Sequence, residues 1–167
     1  MFLAYKKRGM MVSTEFMLNA FQTIRSCGGM GMVHAEEGDL IDYIENQFIA
    51  AGKNTLADFA KTCPDTAEEL ALIRAMELAN VSDCPLYIVH LSTAKGLRRI
   101  KEALQVGRNI YTETCPQYLL LTDEDMLRHG PNAKIGPPLR SRADNEALWG
   151  GLKDGNISVV SSDHSAH

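Results

Sequence analysis

Short apolar runs alternate with longer amphipathic stretches along the 167 residues. The runs at 31–35 (GMVHA), 86–91 (LYIVHL), 109–115 (NIYTETC) and 157–163 (ISVVSSD) are too short for stable helices. With their β-branched and aromatic content they read as buried strands. MFLAY at 1–5 reads as the end of another. Between them, apolar residues recur every three to four positions and predict helices over 13–29, 39–52, 64–82, 93–107 and 142–155. Ser13 or Thr14 caps the first and a glycine pair stops it, while Asp39 and Gly52 bound the second. Pro64, Asp65 and Thr66 open the third, whose apolar face is read as Leu70, Ile73, Met76 and Leu78. Segment 115–141 carries Pro116, Pro131, Pro137 and Pro138. It is expected to be irregular, with a short helix at 122–129 ending near His129.

Strands alternating with helices predict a parallel sheet with crossover helices. A complete eight-stranded barrel takes about 200–250 residues or more. The expected fold is therefore α/β: a partial TIM-type (β/α)8 barrel of about five strand–helix units, or a smaller sheet. Parallel α/β folds place their sites at the carboxyl ends of strands, and three strands here end on His34, His90 and Asp163. Neutral imidazoles and a carboxylate suit zinc and similar ions. Each histidine serves equally well as a satisfied residue closing a buried strand, so the three ends together, not any one, carry the reading.

Neighbouring residues sort less sharply. His164 and His167 crowd Asp163, and since adjacent strand residues point to opposite sides, His164 is read as orienting a ligand or the substrate loop. Glu36 and Glu37 read as solvated helix-start acids, with metal binding as the alternative. IGPPLR at 135–140 is a rigid turn or a substrate-facing wall. Trp149 is read as core. Cys115 has no identifiable histidine partner, which argues against thiol catalysis.

Composition narrows the class. Hydrophobic residues make up 45%, charged residues 23%, and the net charge is −4. With no basic cluster beyond Lys6, Lys7 and Arg8, a nucleic-acid surface is not expected. No run approaches the roughly 18–20 apolar residues that span a bilayer, and the basic residues follow the apolar ones at the start, the reverse of a secretory signal. Cys27, Cys63, Cys84 and Cys115 form no C-x-x-C pair and read as reduced cysteines of a cytoplasmic protein.

In order along the chain, FLAYK, HAEEGDLI, VHLSTAKG, ETCPQYLLL, GPPLR, ALWGGL and SDHSAH resemble the dihydropyrimidinase/hydantoinase branch of the amidohydrolase superfamily. Gln117 in CPQYL distinguishes it from allantoinases, which tend to show CPHYL, and from dihydroorotases. The resemblance implies a (β/α)8 barrel with a small β-sandwich. It also implies hydrolysis of hydantoins or dihydropyrimidines to N-carbamoyl amino acids by a metal-activated hydroxide at a two-metal, usually zinc, centre. Dimers or tetramers are implied as well. By motif, His34 and His90 resemble ligands of one metal. Asp163 resembles the aspartate that contacts the other metal and moves the proton. Tyr5 resembles the tyrosine that steadies the oxyanion, and Gly136 stands where many members have a substrate-contacting serine. The family's H-x-H pair and its bridging carboxylated lysine have no match here; alignment puts that lysine immediately before Met1. The expectation is an internal piece of the barrel domain over 1–167, without the first strands, the later strands or the sandwich, and inactive alone. An allantoinase- or dihydroorotase-like enzyme and a non-catalytic scaffold paralogue are the alternatives.

Overall fold

The computed structural model describes residues 1–165. Four parallel strands, β1 (Gly31–Val33), β2 (Leu86–Ile88), β3 (Ile110–Thr114) and β4 (Val159–Val160), lie side by side in chain order. The register pairs Val33 with Ile88, Ile88 with Thr112, and Thr114 with Val160. Met1–Leu3 flanks β1: His34 N–H donates to Met1 O (2.9 Å) and Leu3 N–H to His34 O (3.1 Å). The expected fifth strand is thus reduced to isolated bridges from Phe2 to His34 and to Met11, because Tyr5 (φ 66°) turns the chain into a 3₁₀ turn at Lys6–Arg8.

Helices α1 (Thr14–Ser26), α2 (Gly38–Ala50), α3 (Leu56–Thr62), α4 (Asp65–Val81), α5 (Ala94–Gln105), α6 (Pro116–Leu120), α7 (Asp123–His129) and α8 (Arg142–Lys153) fill the connections. Val33, Leu86, Ile88 and Ile110 face the helices and are buried with Met17, Phe21, Leu72, Ile100 and Leu148. Met32 and Tyr111, on the opposite face, are exposed.

Several expectations change. Helix α3 went unread, though Thr55 and Asp58 form a capping box that announces it. Helix α6 occupies ground expected to be irregular, with Pro116 in its first turn, where the missing N–H costs nothing. Asp39 lies inside α2, whose N-cap is Glu37. On α4 the buried face is Ala67, Ala71, Leu72, Ala75, Met76 and Ala79; of the expected set Met76 is buried and Leu78 packs against the core, while Leu70 is exposed. Small residues four apart let neighbouring helices approach closely, so the larger side chains sit beside the contact. Trp149 lies at the surface, 51% exposed, with Nε1–H donating to Leu119 O.

Where α5 crosses α4 the approach is tight: a Cβ on Gly96 would lie 2.7 Å from Leu72 Cδ1 and 2.8 Å from Leu91 Cδ1. The turn before α5 is stapled by Glu68, a fully enclosed carboxylate on α4. It accepts from Ser92 N–H (2.8 Å), Ser92 Oγ (2.9 Å) and the Thr93 hydroxyl. Arg140 completes the network, donating to Ser92 Oγ (3.2 Å) and Cys63 O (2.5 Å). Burial pushes the Glu68 carboxyl up, while Arg140 and the donors at Thr93 and Ser92 pull it back.

Two stability measurements follow from this packing. Gly96→Ala is expected to cost about 1–3 kcal/mol by overpacking. Gly150→Ala, inside α8 with open space around its Cβ, should gain roughly 0.5–1 kcal/mol. Equal urea midpoints for the two variants would contradict the tight crossing. Glu68→Gln, which turns an amide nitrogen toward donors and strips Arg140 of its counter-charge, should cost about 1.5–3 kcal/mol. An unchanged midpoint would mean that the network does not anchor the turn.

Candidate metal and active site

His34 follows β1 directly, and His90 follows β2 after one intervening residue. Alternation along β1 sends His34 toward the open face, the side of Met32. Continued alternation along β2 would send His90 the opposite way, toward the helices. Instead His90 adopts φ 41°, while Val89 N–H still reaches Val33 O (3.4 Å) and Leu91 N–H reaches Glu113 O (2.8 Å). The kink turns the imidazole back beside its neighbour.

As a result His34 Nδ1 and His90 Nε2 face each other at 2.7 Å, both rings buried. Burial, then the neighbouring His34, pushes His90 down to about 3, so it is neutral at ordinary pH. Glu36, expected in solvent, is 3% exposed, and its Oε2 lies 3.0 Å from His34 Nε2. The pair is close enough for attraction but too poorly aligned for a hydrogen bond, and Glu36 Oε1 and His90 Nδ1 have no partner.

Tyr5 packs its ring on His34, centroids 4.9 Å apart. A Cβ on Gly136 would lie 3.1 Å from the Tyr5 hydroxyl, so residue 136 and Tyr5 Oη are neighbours. Burial and Glu36 raise the Tyr5 phenol above its ordinary value, with Cys63 and Asp163 adding to the effect. Asp163, past β4 at φ 50°, is exposed. Its carboxyl is raised by partial burial and by Glu113, against an opposing pull from His34. Glu113 at the end of β3 is buried and accepts a hydrogen bond from Tyr87 Oη (2.7 Å). Cys63 and Cys115 are pushed up to about 12, chiefly by burial, so neither is a thiolate nucleophile near neutrality.

Backbone geometry marks the same place independently. Among the described residues, the non-glycine positions at positive φ are Tyr5, Asp83, His90 and Asp163. Such conformations cost about 1–3 kcal/mol each and collect at functional sites. Tyr5, His90 and Asp163 were all expected from sequence, and Asp83 lies in the turn before β2.

Sequence reading passed over Glu113 and read Glu36 as a solvated helix-start acid, with metal binding only as the alternative. Glu36 was misassigned because acids ahead of a helix usually meet water. Nothing marked Glu113 except its place at a strand end. His164 is exposed, with its backbone N–H donating to Ser162 Oγ (3.3 Å). His167 lies outside the described residues.

Two facing nitrogens from adjacent strand ends fit half of a metal site. Tetrahedral zinc with bonds of ~2.05 Å holds two nitrogens ~3.3 Å apart, so the rings need to part by roughly half an ångström. Among the described residues no group of three or more His, Cys, Asp or Glu is placed to hold an ion. The described helices include none long and apolar enough to cross a membrane.

No protein-family model matches the chain. Its sequence is 41% identical over 149 residues to an allantoinase of Bacillus velezensis, covering 89% of this chain and 33% of that protein. It is 38% identical over 167 residues to a D-hydantoinase of Rhizobium radiobacter, covering 98% and 36%. The solved dihydropyrimidinase of Brevibacillus agri superposes with a TM-score of 0.92 at 37% identity, covering 99% of this chain and 36% of that one. The chain therefore spans about a third of the length of the curated relatives it matches. Its four parallel strands are part of the wall of their TIM-type barrel, and the chain belongs to the dihydropyrimidinase/hydantoinase family of the amidohydrolase superfamily.

Proposed function

We propose that residues 1–167 supply part of the barrel and half of the reacting centre of a metal-dependent hydrolase. Its substrate is a five- or six-membered cyclic diamide, a hydantoin or dihydropyrimidine, and its product an N-carbamoyl amino acid. The observation that supports this reading is the meeting of a buried, facing imidazole pair with the Tyr5 ring, with Asp163 near enough for His34 to influence its carboxyl.

His34 through Nδ1 and His90 through Nε2 would hold one divalent ion, and their chemistry suits zinc. Asp163 would contact a second ion. The further donors, including a carboxylated lysine, come on this reading from polypeptide outside these residues. Bound metal supplies an acidified water and positive charge near the reacting carbonyl.

The chain's own groups do the remaining work. Tyr5, kept protonated by burial and by the acids around it, donates a hydrogen bond to the ring carbonyl oxygen as negative charge gathers there. Asp163, with its carboxyl above the usual range, accepts the proton of the attacking water and passes it to the ring nitrogen. The new C–O bond forms and the C–N bond breaks, so the ring opens with no proton unaccounted for. Gly136 presents a bare backbone edge beside Tyr5 Oη, where a side chain would crowd the hydroxyl. Assembly into a dimer or tetramer and a cytoplasmic location belong to the same reading. The allantoinase at 41% identity favours a second reading, in which allantoin is the ring opened.

A chimera tests the proposal: this chain replaces the matching third of the Rhizobium radiobacter D-hydantoinase. Ring opening of hydantoin, dihydrouracil and allantoin is then followed by chromatography. Turnover of at least one ring is expected, and Asp163→Asn should lower kcat/KM by about 10²–10⁴-fold. A folded, metal-loaded chimera inactive on all three rings would favour the scaffold paralogue, and turnover unaffected by Asp163→Asn would remove Asp163 from the reaction. On the chain alone, elemental analysis should find about one zinc per chain, lost in His90→Ala. Equal zinc in the two proteins would remove His90 from the ligand set.

A further inference from the structure

Glu36 is the buried group that the proposed chemistry leaves without a task. Its backbone cannot swing away. Glu37 N–H donates to Ala67 O (2.9 Å) and Gly38 N–H to Leu3 O (3.0 Å), which clamps the turn between α4 and the Met1–Leu3 segment. At Gly38 a Cβ would lie 2.8 Å from Ala4 Cα, so that side is closed as well. The carboxylate is therefore held against His34, with Oε2 3.0 Å from Nε2, while Oε1 has no partner. A carboxylate only 3% exposed is costly unless it accepts a hydrogen bond or faces a cation.

The two nitrogens of His34 have different surroundings. Nε2 looks at Glu36, and Nδ1 looks at His90 Nε2 across 2.7 Å. A neutral imidazole carries one proton, and it binds a metal only through the other nitrogen. A proton on Nε2 lies against the carboxylate as an attractive contact, short of an aligned hydrogen bond, and leaves the Nδ1 lone pair facing His90. A proton on Nδ1 sets a bare Nε2 lone pair against a carboxylate oxygen.

We propose that Glu36 is the positioning residue of His34, holding its proton on Nε2 so that Nδ1 is kept as the metal-binding lone pair. The inference rests on the reading of His34 as a ligand for its purpose, but not for its geometry. The same arrangement assigns the proton between the rings of the metal-free protein: His90 Nε2–H donates and His34 Nδ1 accepts.

The test uses the 167-residue chain with Glu36→Gln and Glu36→Ala. Long-range ¹⁵N–¹H spectra of the metal-free proteins report which nitrogen of His34 carries the proton. Competition against a chromophoric chelator reports affinity for Zn²⁺ and Co²⁺. In the parent chain His34 should be the Nε2–H tautomer. Glu36→Ala should give a mixture and weaken metal binding about 10–100-fold. Glu36→Gln keeps the shape and a carbonyl acceptor, so it should preserve the tautomer and lose less affinity than the alanine variant. Nδ1–H in the parent, or a tautomer indifferent to Glu36→Ala, would overturn the proposal. Equal large losses of affinity in both variants with an unmoved tautomer would make Glu36 a direct ligand, and would also overturn it. If His34→Ala binds metal as the parent does, the ligand reading fails, whereas the tautomer spectra stand or fall separately.

Discussion

Parallel pairing of β1 with β2 sets a conflict that the rest of the site resolves. With Val33 opposite Ile88, the first residue past each strand would be His34 and Val89, and both would face the open side. His90 comes one residue too late and on the wrong side. The left-handed kink at His90 corrects both errors, and it holds because the residues that follow are fixed. Leu91 bonds to Glu113 O, and Ser92 and Thr93 are anchored by the Glu68 carboxylate under Arg140. The strained residue and the buried network are one device. Glu68 is too deep in the protein to touch a substrate, yet it determines where the His90 imidazole stands.

Charge around the imidazole pair is one-sided. Glu36, Glu113 and Asp163 lie at the ends of β1, β3 and β4; Glu36 and Asp163 push the Tyr5 phenol up, and Glu113 pushes the Asp163 carboxyl up. Buried carboxylates beside neutral imidazoles are expensive until a cation joins them. On the proposed reading, a cation bound here would offset that cost, which would link metal binding to the integrity of this end of the sheet. The same field keeps the Tyr5 phenol protonated and Asp163 readily protonated, which are the states that an oxyanion donor and a proton carrier require.

Much of this was legible in the sequence, for physical reasons that differ by residue. His34 and His90 stood out because a polar group closing a short apolar run marks the carboxyl end of a strand. The order of motifs then placed Tyr5, Asp163 and Gly136. Glu36 was not legible, since acids before a helix usually meet solvent and only the clamped turn encloses this one. The face of α4 was misread because hydrophobicity favours large side chains, whereas the closest packing is made by alanines at 67, 71, 75 and 79. The chain leaves extended geometry at His90, two residues past the end of β2, and at Asp163, three past the end of β4.

The relatives carry different names for different rings, yet over this stretch an allantoinase and a D-hydantoinase lie within three percentage points of identity, 41% against 38%. The segment is thus about equally similar to proteins named for different rings, and what it holds is strand ends that present imidazoles, a tyrosine over one of them, and an aspartate beyond the last strand. Discrimination between rings needs contacts to substituents, and in this chain the bare backbone at Gly136 offers few. Gln117 in CPQYL was read as favouring a hydantoinase. In the structure it sits half-buried on α6, where its carbonyl accepts from Leu121 N–H, and no described bond links it to His34 or His90. A substitution there marks a branch without reaching the chemistry. On the proposed reading, the choice of ring is carried by groups other than the imidazole pair, and this segment would bear on how an amide is opened more than on which amide is chosen.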